Sequence, residues 1–259
     1  MSEESRLVWD LRSRNDFFPE VELKDISFRY DDGDWVLREV NLVVESGKSL
    51  AITGPSGAGK TTLIDILLGI LNPTSGVATI SGVASSDAIA YWPGVISYVP
   101  QDIFIVEGTI KENVGLGFSK DSIDDSQVWE ALERAHLAEF VRGLPGDIEY
   151  NVGEFGGKIS GGQRQRLGIA RALYTKPKLI VLDEATSALD NETELYISES
   201  LKALRGEVTV IMIAHRLSSV KTCDLVAYIE KGKIFSVGNF KDVRAAVPNF
   251  DKQARLLEL

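Results

Sequence analysis

The 259 residues include a single cysteine, Cys223, so no intramolecular disulfide can form. That scarcity fits a reducing compartment. Within "VKTCDLVAYI" the lone thiol reads as a small buried hydrophobe. Long apolar runs are also missing. A helix that crosses a bilayer needs about 18 or more consecutive apolar residues, and the most apolar stretch here, Leu63 to Leu71, is interrupted by Asp65. The opening "MSEESRLVWDLRSRND" is charged and lacks the apolar centre of a signal peptide. Basic charge is in deficit: 28 Lys and Arg against 38 Asp and Glu leave a net charge of −10. This argues against general affinity for nucleic acid or for an anionic membrane surface. Internal repeats and low-complexity tracts are absent from the sequence.

What remains is the composition of a globular α/β chain, with 44% hydrophobic and 25% charged residues. Residues 1–20 are polar and irregular and read as a tail or linker, with the domain proper over 21–259. "VELKDISFRY" and "WVLREVNLVV" alternate apolar and polar residues on either side of "DDGD", the pattern of two antiparallel strands. A short apolar strand at Leu50 to Ile52 leads into "KTTLIDILLGIL", which has helical spacing and is predicted to stop at Asn72-Pro73. "SGVATISG" returns to strand. The stretch from about 93 to 173 reads as an inserted helical subdomain, with Val128, Leu132, Ala135 and Phe140 at helical intervals. "KLIVLDE" and "VTVIMIAH" have the apolar continuity of strands buried on both faces. Between them "NETELYISESLKALRG" is a helix pattern, with Asn191 and Glu194 as its capping pair and Gly206 as its close. "LVAYIEKGKIFSVG" is a hairpin turning at Lys231-Gly232, and a small helix follows. The expected architecture is a P-loop core with a mostly parallel sheet, an N-terminal antiparallel β subdomain and the helical insertion.

Several stretches carry chemistry. Gly54, Pro55, Ser56, Gly57, Ala58, Gly59, Lys60 and Thr61 fit G-x-x-x-x-G-K-[ST] between a buried strand and a helix. Glycines allow a tight loop with inward N–H groups, Lys60 supplies charge for β- and γ-phosphates, and the Thr61 hydroxyl suits Mg²⁺. Thr62 adds a backbone N–H. Asp183 and Glu184 end an apolar strand, where ligands of such sheets bind. Asp183 is the candidate Mg²⁺ holder, usually through water, and Glu184 the candidate general base for an attacking water. The alternative is that both acids cap the next helix. His215 ends the next strand beside them and can contact the γ-phosphate. Gln101, in "VPQD", can offer its amide oxygen to Mg²⁺ or water. Tyr30 can stack on adenine or simply be a half-buried strand residue. Ser160, Gly161, Gly162 and Gln163 open a basic helix, which is either a capped glycine turn or an anion site made by free first-turn amides.

Together these motifs resemble the nucleotide-binding domain of an ATP-binding cassette (ABC) transporter, from Val21 to the C-terminus. "GPSGAGKTT" is similar to Walker A, "LIVLDE" to Walker B and "ISGGQ" to the family signature, with Ile159 where leucine is usual. "SALD", Ser187 to Asp190, resembles the D-loop; Gln101 matches the Q-loop and His215 the switch histidine. The resemblance implies ATP hydrolysis with Mg²⁺. It also implies a head-to-tail pair with a second copy or a homologous domain, in which Ser160, Gly161 and Gly162 face the γ-phosphate of ATP held by the other subunit. Tyr30 would then stack on adenine, and Ser187 and Asp190 would line the seam. "FIVEGTIKENV" and "VGEFGGKISGGQ" resemble the exporter type, in which Glu154 and the Gln101 region meet a transmembrane domain at the cytoplasmic face of the membrane. The basic helix is also similar to those of bacterial lipid or glycan exporters. The polar start is expected to be a linker from an upstream membrane half, leaving the domain soluble when isolated. The alternative is an ABC-type ATPase of DNA repair or chromosome maintenance, which would need a long coiled coil or a DNA-binding insertion; only about a hundred residues without sustained heptads separate the Walker A and signature segments. A GTPase would need N-K-x-D, which is absent from the sequence.

Overall fold

A computed structural model describes residues 14–183, 196, 199–200, 202–214 and 216–256. Two sheets share the work. The first is antiparallel, in the order β2-β1-β4-β5: β1 (Val21–Arg29), β2 (Trp35–Val44), β4 (Ser75–Ile80) and β5 (Val83–Ala84). Strict alternation in β1 is interrupted after Leu23, so that Val21, Leu23, Ile26 and Phe28 all reach the core. The cause is a register shift at Asp25, whose φ is 51° and whose N–H is held by Asn41 Oδ1 at 2.9 Å.

The second sheet has the order β10-β9-β3-β8-β7-β6: β3 (Ser49–Thr53), β6 (Ile96–Val99), β7 (Leu179–Asp183), β8 (Thr209–Ile213), β9 (Leu225–Glu230) and β10 (Lys233–Gly238). Neighbours from β9 to β6 are parallel, and β10 is an antiparallel edge. Every residue of β3, β7 and β8 is buried, as covering on both faces requires. Alternate side chains feed two separate cores. Leu50, Ile52, Val181, Ile211 and Ile229 face α1 (Lys60–Leu67) and the first sheet. Ala51, Ile180, Leu182, Met212 and Val226 face the helical layer. That layer holds α3 (Ile110–Val114), α4 (Asp125–Arg134), α5 (Ala138–Arg142) and α6 (Gly161–Tyr174), and beyond them α7 (Leu217–Lys221), α8 (Phe240–Ala246) and α9 (Pro248–Leu256). The short α2 (Ser85–Tyr91) joins the first sheet to β6.

Four details depart from the sequence reading. Residues 17–20 are no tail: Phe17 is 2% exposed and meets Trp92 edge-on at 5.1 Å, while the Pro19 carbonyl accepts from Thr209 Oγ1 at 2.7 Å. One aromatic anchor has no periodicity to betray it. Inside the span expected to be helical, Ile96–Val99 is a strand of the second sheet, because it pairs in register with Leu179–Leu182. Helix α1 ends at Leu67 rather than near Asn72, since Gly69 turns left-handed at φ 69° and lets Ile70 and Leu71 cap onto the Asp65 carbonyl. The segment around Val128 to Phe140 is two helices, broken at His136, whose φ is 51°. Cys223 is buried, and burial pushes its thiol up to about 12, so it is an inert hydrophobe. No helix of the described residues is long and apolar enough to cross a membrane.

Phe17→Ala should destabilise the chain by about 3 kcal/mol, the usual cost of emptying a buried aromatic site. Urea unfolding checks this; a loss below about 1 kcal/mol, within the range of ordinary surface substitutions, would mean that the segment does not anchor the domain.

Candidate nucleotide site

The loop from Gly54 to Gly59 joins the buried end of β3 to α1 and is fastened from the outside. Gly232, in the β9–β10 turn, donates to the Ala58 carbonyl at 3.2 Å and accepts from Arg38 of β2 at 2.8 Å. Ala58 is buried, whereas Pro55, Ser56 and Gly57 are exposed. Gly54, Gly57 and Gly59 have φ of 145°, 74° and 99°. Gly54 has no room for a side chain: a Cβ there would lie 2.0 Å from the Ile229 carbonyl oxygen.

Lys60, only 6% exposed, folds back over this loop and donates from Nζ to the Gly54 and Pro55 carbonyls, both at 3.0 Å. An ammonium is thus stored above a ring of backbone at the start of α1. No side chain caps that helix, because Gly59 is its N-cap. Its first-turn N–H groups therefore face outward without an intrahelical partner, an arrangement suited to phosphate. Thr61 is exposed on this turn, and Thr62 is buried beneath it. Tyr30, 51% exposed, packs edge-on against Phe28 at 4.8 Å, and its hydroxyl lies 3.5 Å from Thr62 Oγ1. The structure thus brings Tyr30 to the rim of the loop with its ring available for stacking.

The other candidates on this edge come from the C-terminal ends of neighbouring parallel strands. Asp183, 6% exposed, ends β7, and Gln101 follows β6 by two residues and is exposed. With strands about 4.8 Å apart, β3, β8, β7 and β6 spread these groups over ~15 Å of one edge. Two ionisable side chains the sequence reading passed over are Tyr98, which feels the charge of Asp183, and Asp65, which Tyr98 also feels. Burial raises the Tyr98 hydroxyl above its ordinary value, and the charges of Asp183 and Asp65 raise it further. Burial also raises the Asp65 carboxyl. The clue was the acid interrupting the apolar run Leu63 to Leu71. The Thr61 hydroxyl, Asp183 carboxylate and Gln101 amide are hard oxygen donors, the set Mg²⁺ takes together with phosphate oxygens and water. Glu184, Ser187, Asp190 and His215 lie outside the described residues.

The Ser160 turn is built differently. Ser160 is the N-cap of α6 in a reciprocal capping box: Gln163 N–H donates to Ser160 Oγ at 3.2 Å, and Ser160 N–H donates to Gln163 Oε1 at 2.7 Å. Ser160 and Gly161 are exposed, Gly162 and Gln163 half-buried, and Ile159 is buried beneath them. Helix α6 packs in the helical-side core and α1 in the opposite one, so the two anion-ready turns start from helices on opposite faces of the second sheet. Gly54→Ala should weaken ATP binding by tenfold or more, since even ~1.4 kcal/mol of strain passed to the loop is a factor of ten. Titration calorimetry reads this directly, and unchanged affinity would show that loop shape does not matter.

The sequence model of the ABC transporter family matches residues 37–187, more than half of the chain. A multidrug resistance ABC transporter ATP-binding and permease protein of Lactococcus lactis subsp. lactis is 39% identical over 230 residues, covering 88% of this chain and 39% of that protein. An ATP-dependent lipid A-core flippase of Ralstonia nicotianae is 40% identical over 235 residues, covering 90% of this chain and 39% of the flippase. The solved structure of a bacterial Atm1-family ABC exporter with ATP bound is similar at a TM-score of 0.81 and 33% identity, over 92% of this chain and 42% of that one. The chain thus spans about two fifths of the length of these relatives. The DNA-repair alternative finds no support in these matches. With its P-loop core, its two sheets and these relatives, the chain belongs to the ABC transporter family, whose ATP-binding domains hydrolyse ATP.

Proposed function

We propose that this chain is the motor domain of a membrane exporter, pairing head to tail with a second copy or a homologous domain around two ATP–Mg²⁺. The observation that carries this reading is the Lys60 ammonium parked on the Gly54 and Pro55 carbonyls beside an uncapped α1. Incoming β- and γ-phosphates offer that ammonium stronger, charged acceptors. Amides of Gly57, Gly59, Lys60, Thr61 and Thr62 close around the triphosphate, and Tyr30 stacks on the adenine. Thr61, Asp183 and Gln101 would hold Mg²⁺, which when bound would supply positive charge against the phosphates. Glu184 takes a proton from the attacking water as its oxygen bonds to the γ-phosphorus and the bond to the β-phosphate oxygen breaks. His215 steadies the γ-phosphate.

The opposite placement of α1 and α6 supports a site completed in trans. Ser160, Gly161, Gly162 and Gln163 of one chain face the γ-phosphate held by its partner, with the positive end of α6 pointed at it. Ser187 and Asp190 line the seam. Loss of the γ-phosphate removes that contact and the pair loosens, a switch between two assemblies. The motion reaches a transmembrane domain, docked at the cytoplasmic face of the membrane near Gln101 and Glu154. Phe104 (61% exposed) and Phe155 (69% exposed) stand uncovered on the adjoining loops. The flippase among the relatives supports an amphipathic cargo, of lipid or glycan type. Nucleic acid is no partner in this reading.

Glu184→Gln should lower ATP hydrolysis by about a hundredfold or more, the usual share of a general base, and should leave an ATP-bound dimer visible in light scattering after size exclusion. An unchanged rate would remove Glu184 from that role. Lys60→Ala should weaken ATP binding by about tenfold or more in calorimetry, as expected for loss of a charge-assisted contact. Undiminished affinity would count against the loop as the phosphate site.

A further inference from the structure

Helix α6 does more than present Ser160. Its far end holds Arg171, roughly 16 Å along the axis from Ser160 at the usual rise per residue. The Arg171 guanidinium donates from Nε to the Asn113 carbonyl at 2.8 Å, from one terminal nitrogen to the Phe104 carbonyl at 2.8 Å, and from the other to Asn113 Oδ1 at 3.2 Å. Asn113 is fully buried and extends the link, accepting from Val106 N–H and donating to the Val106 and Thr109 carbonyls, all at 3.0 Å. Burial disfavours the Arg171 charge, and no carboxylate pairs with it among the described residues. Arginine stays protonated in proteins, so in this half-buried place these carbonyls satisfy it, and pulling the loop away would cost two charge-assisted hydrogen bonds or more. A second, independent contact reinforces the link. At Gly168 the α6 backbone comes so close to Ile103 that a Cβ would lie 2.4 Å from Ile103 Cδ1. One turn from Ser160, Arg164 reaches back to the turn that carries Phe155, donating to the Gly156 carbonyl at 3.4 Å as well as to the Ile159 carbonyl at 2.8 Å.

We infer that Arg171 is a positioning residue that makes the loop from Ile103 to Thr109 move as one body with α6, so that seizure of the Ser160 turn by ATP is felt at Phe104. The inference rests on the two-chain ATP site proposed above. Phe104 lies only three residues past Gln101, so this route reaches the proposed docking loop through the helical layer and through no residue of the P-loop.

Hydrogen exchange on the full chain, with and without Mg²⁺ and a non-hydrolysable ATP analogue, separates the two ideas. In the native chain the nucleotide should slow exchange at residues 160–165 and at residues 104–109. In Arg171→Met it should still slow exchange at 160–165, while the effect at 104–109 falls from about tenfold to less than about twofold. A merely structural arginine would lower stability without changing which segments respond. Should Arg171→Met fail to fold, Arg171→Lys is read the same way, since a lysine keeps the charge but cannot span both partners. An undiminished response at 104–109 in the variant that folds overturns the inference, and so does a native chain that responds at 160–165 alone. No response at 160–165 in the native chain overturns the two-chain site itself.

Discussion

The ammonium of Lys60, a buried residue, lies on two carbonyls of its own loop at the open end of a helix with no capping side chain. Much of the structure is arranged so that this can be so. A desolvated cation needs oxygen partners, and the loop provides them only because Gly54 adopts a conformation closed to other residues, against the Ile229 carbonyl. The β9–β10 turn and β2 then hold the loop from behind through Gly232. The result is positive potential assembled before any phosphate arrives, which reduces the reorganisation that binding requires.

Around that point the second sheet acts as a partition. Its alternating side chains feed two cores, one beneath α1 and the antiparallel sheet, the other beneath the helical layer. Strand ends present Gln101 and Asp183 along the edge that carries Lys60, while the Ser160 turn belongs to the opposite layer. A partition of this kind sets the two phosphate-ready turns on helices of opposite layers, the placement on which the proposed two-chain site rests.

The helical layer is in turn knit to α6. Arg164 and Arg171 lie two turns apart on that helix, and they donate to the Gly156 carbonyl beside Phe155 and to the Phe104 carbonyl. Both loops meet through the bridge between Thr109 and Asn151 and the bond from Val152 N–H to the Gly108 carbonyl. Phe155, with φ of 50° and glycines on both sides of its short turn, is a bulky residue in a conformation such residues avoid. Like Phe104, it is largely exposed.

Much of this was legible in the residues themselves. The loop Gly54 to Thr62, the apolar strands ending at Asp183 and Ile213, and the Ser160–Gln163 cap are local: spacing, glycine placement and short-range hydrogen bonds determine them, and sequence records these directly. The β1–β2 pairing was readable from alternation for the same reason. Other features depend on what lies opposite. Phe17 becomes an anchor only because Trp92 receives it, Ile96–Val99 a strand only because Leu179–Leu182 pairs with it, and Tyr98 feels Asp65 and Asp183 only through the fold that brings β7 near α1. Which face of the sheet each phosphate-ready turn occupies, and that α6 grips the loop beyond Gln101, are likewise matters of tertiary packing. Contacts between residues far apart in the chain leave no periodic trace in it, because their energy arises only when both partners are already in place.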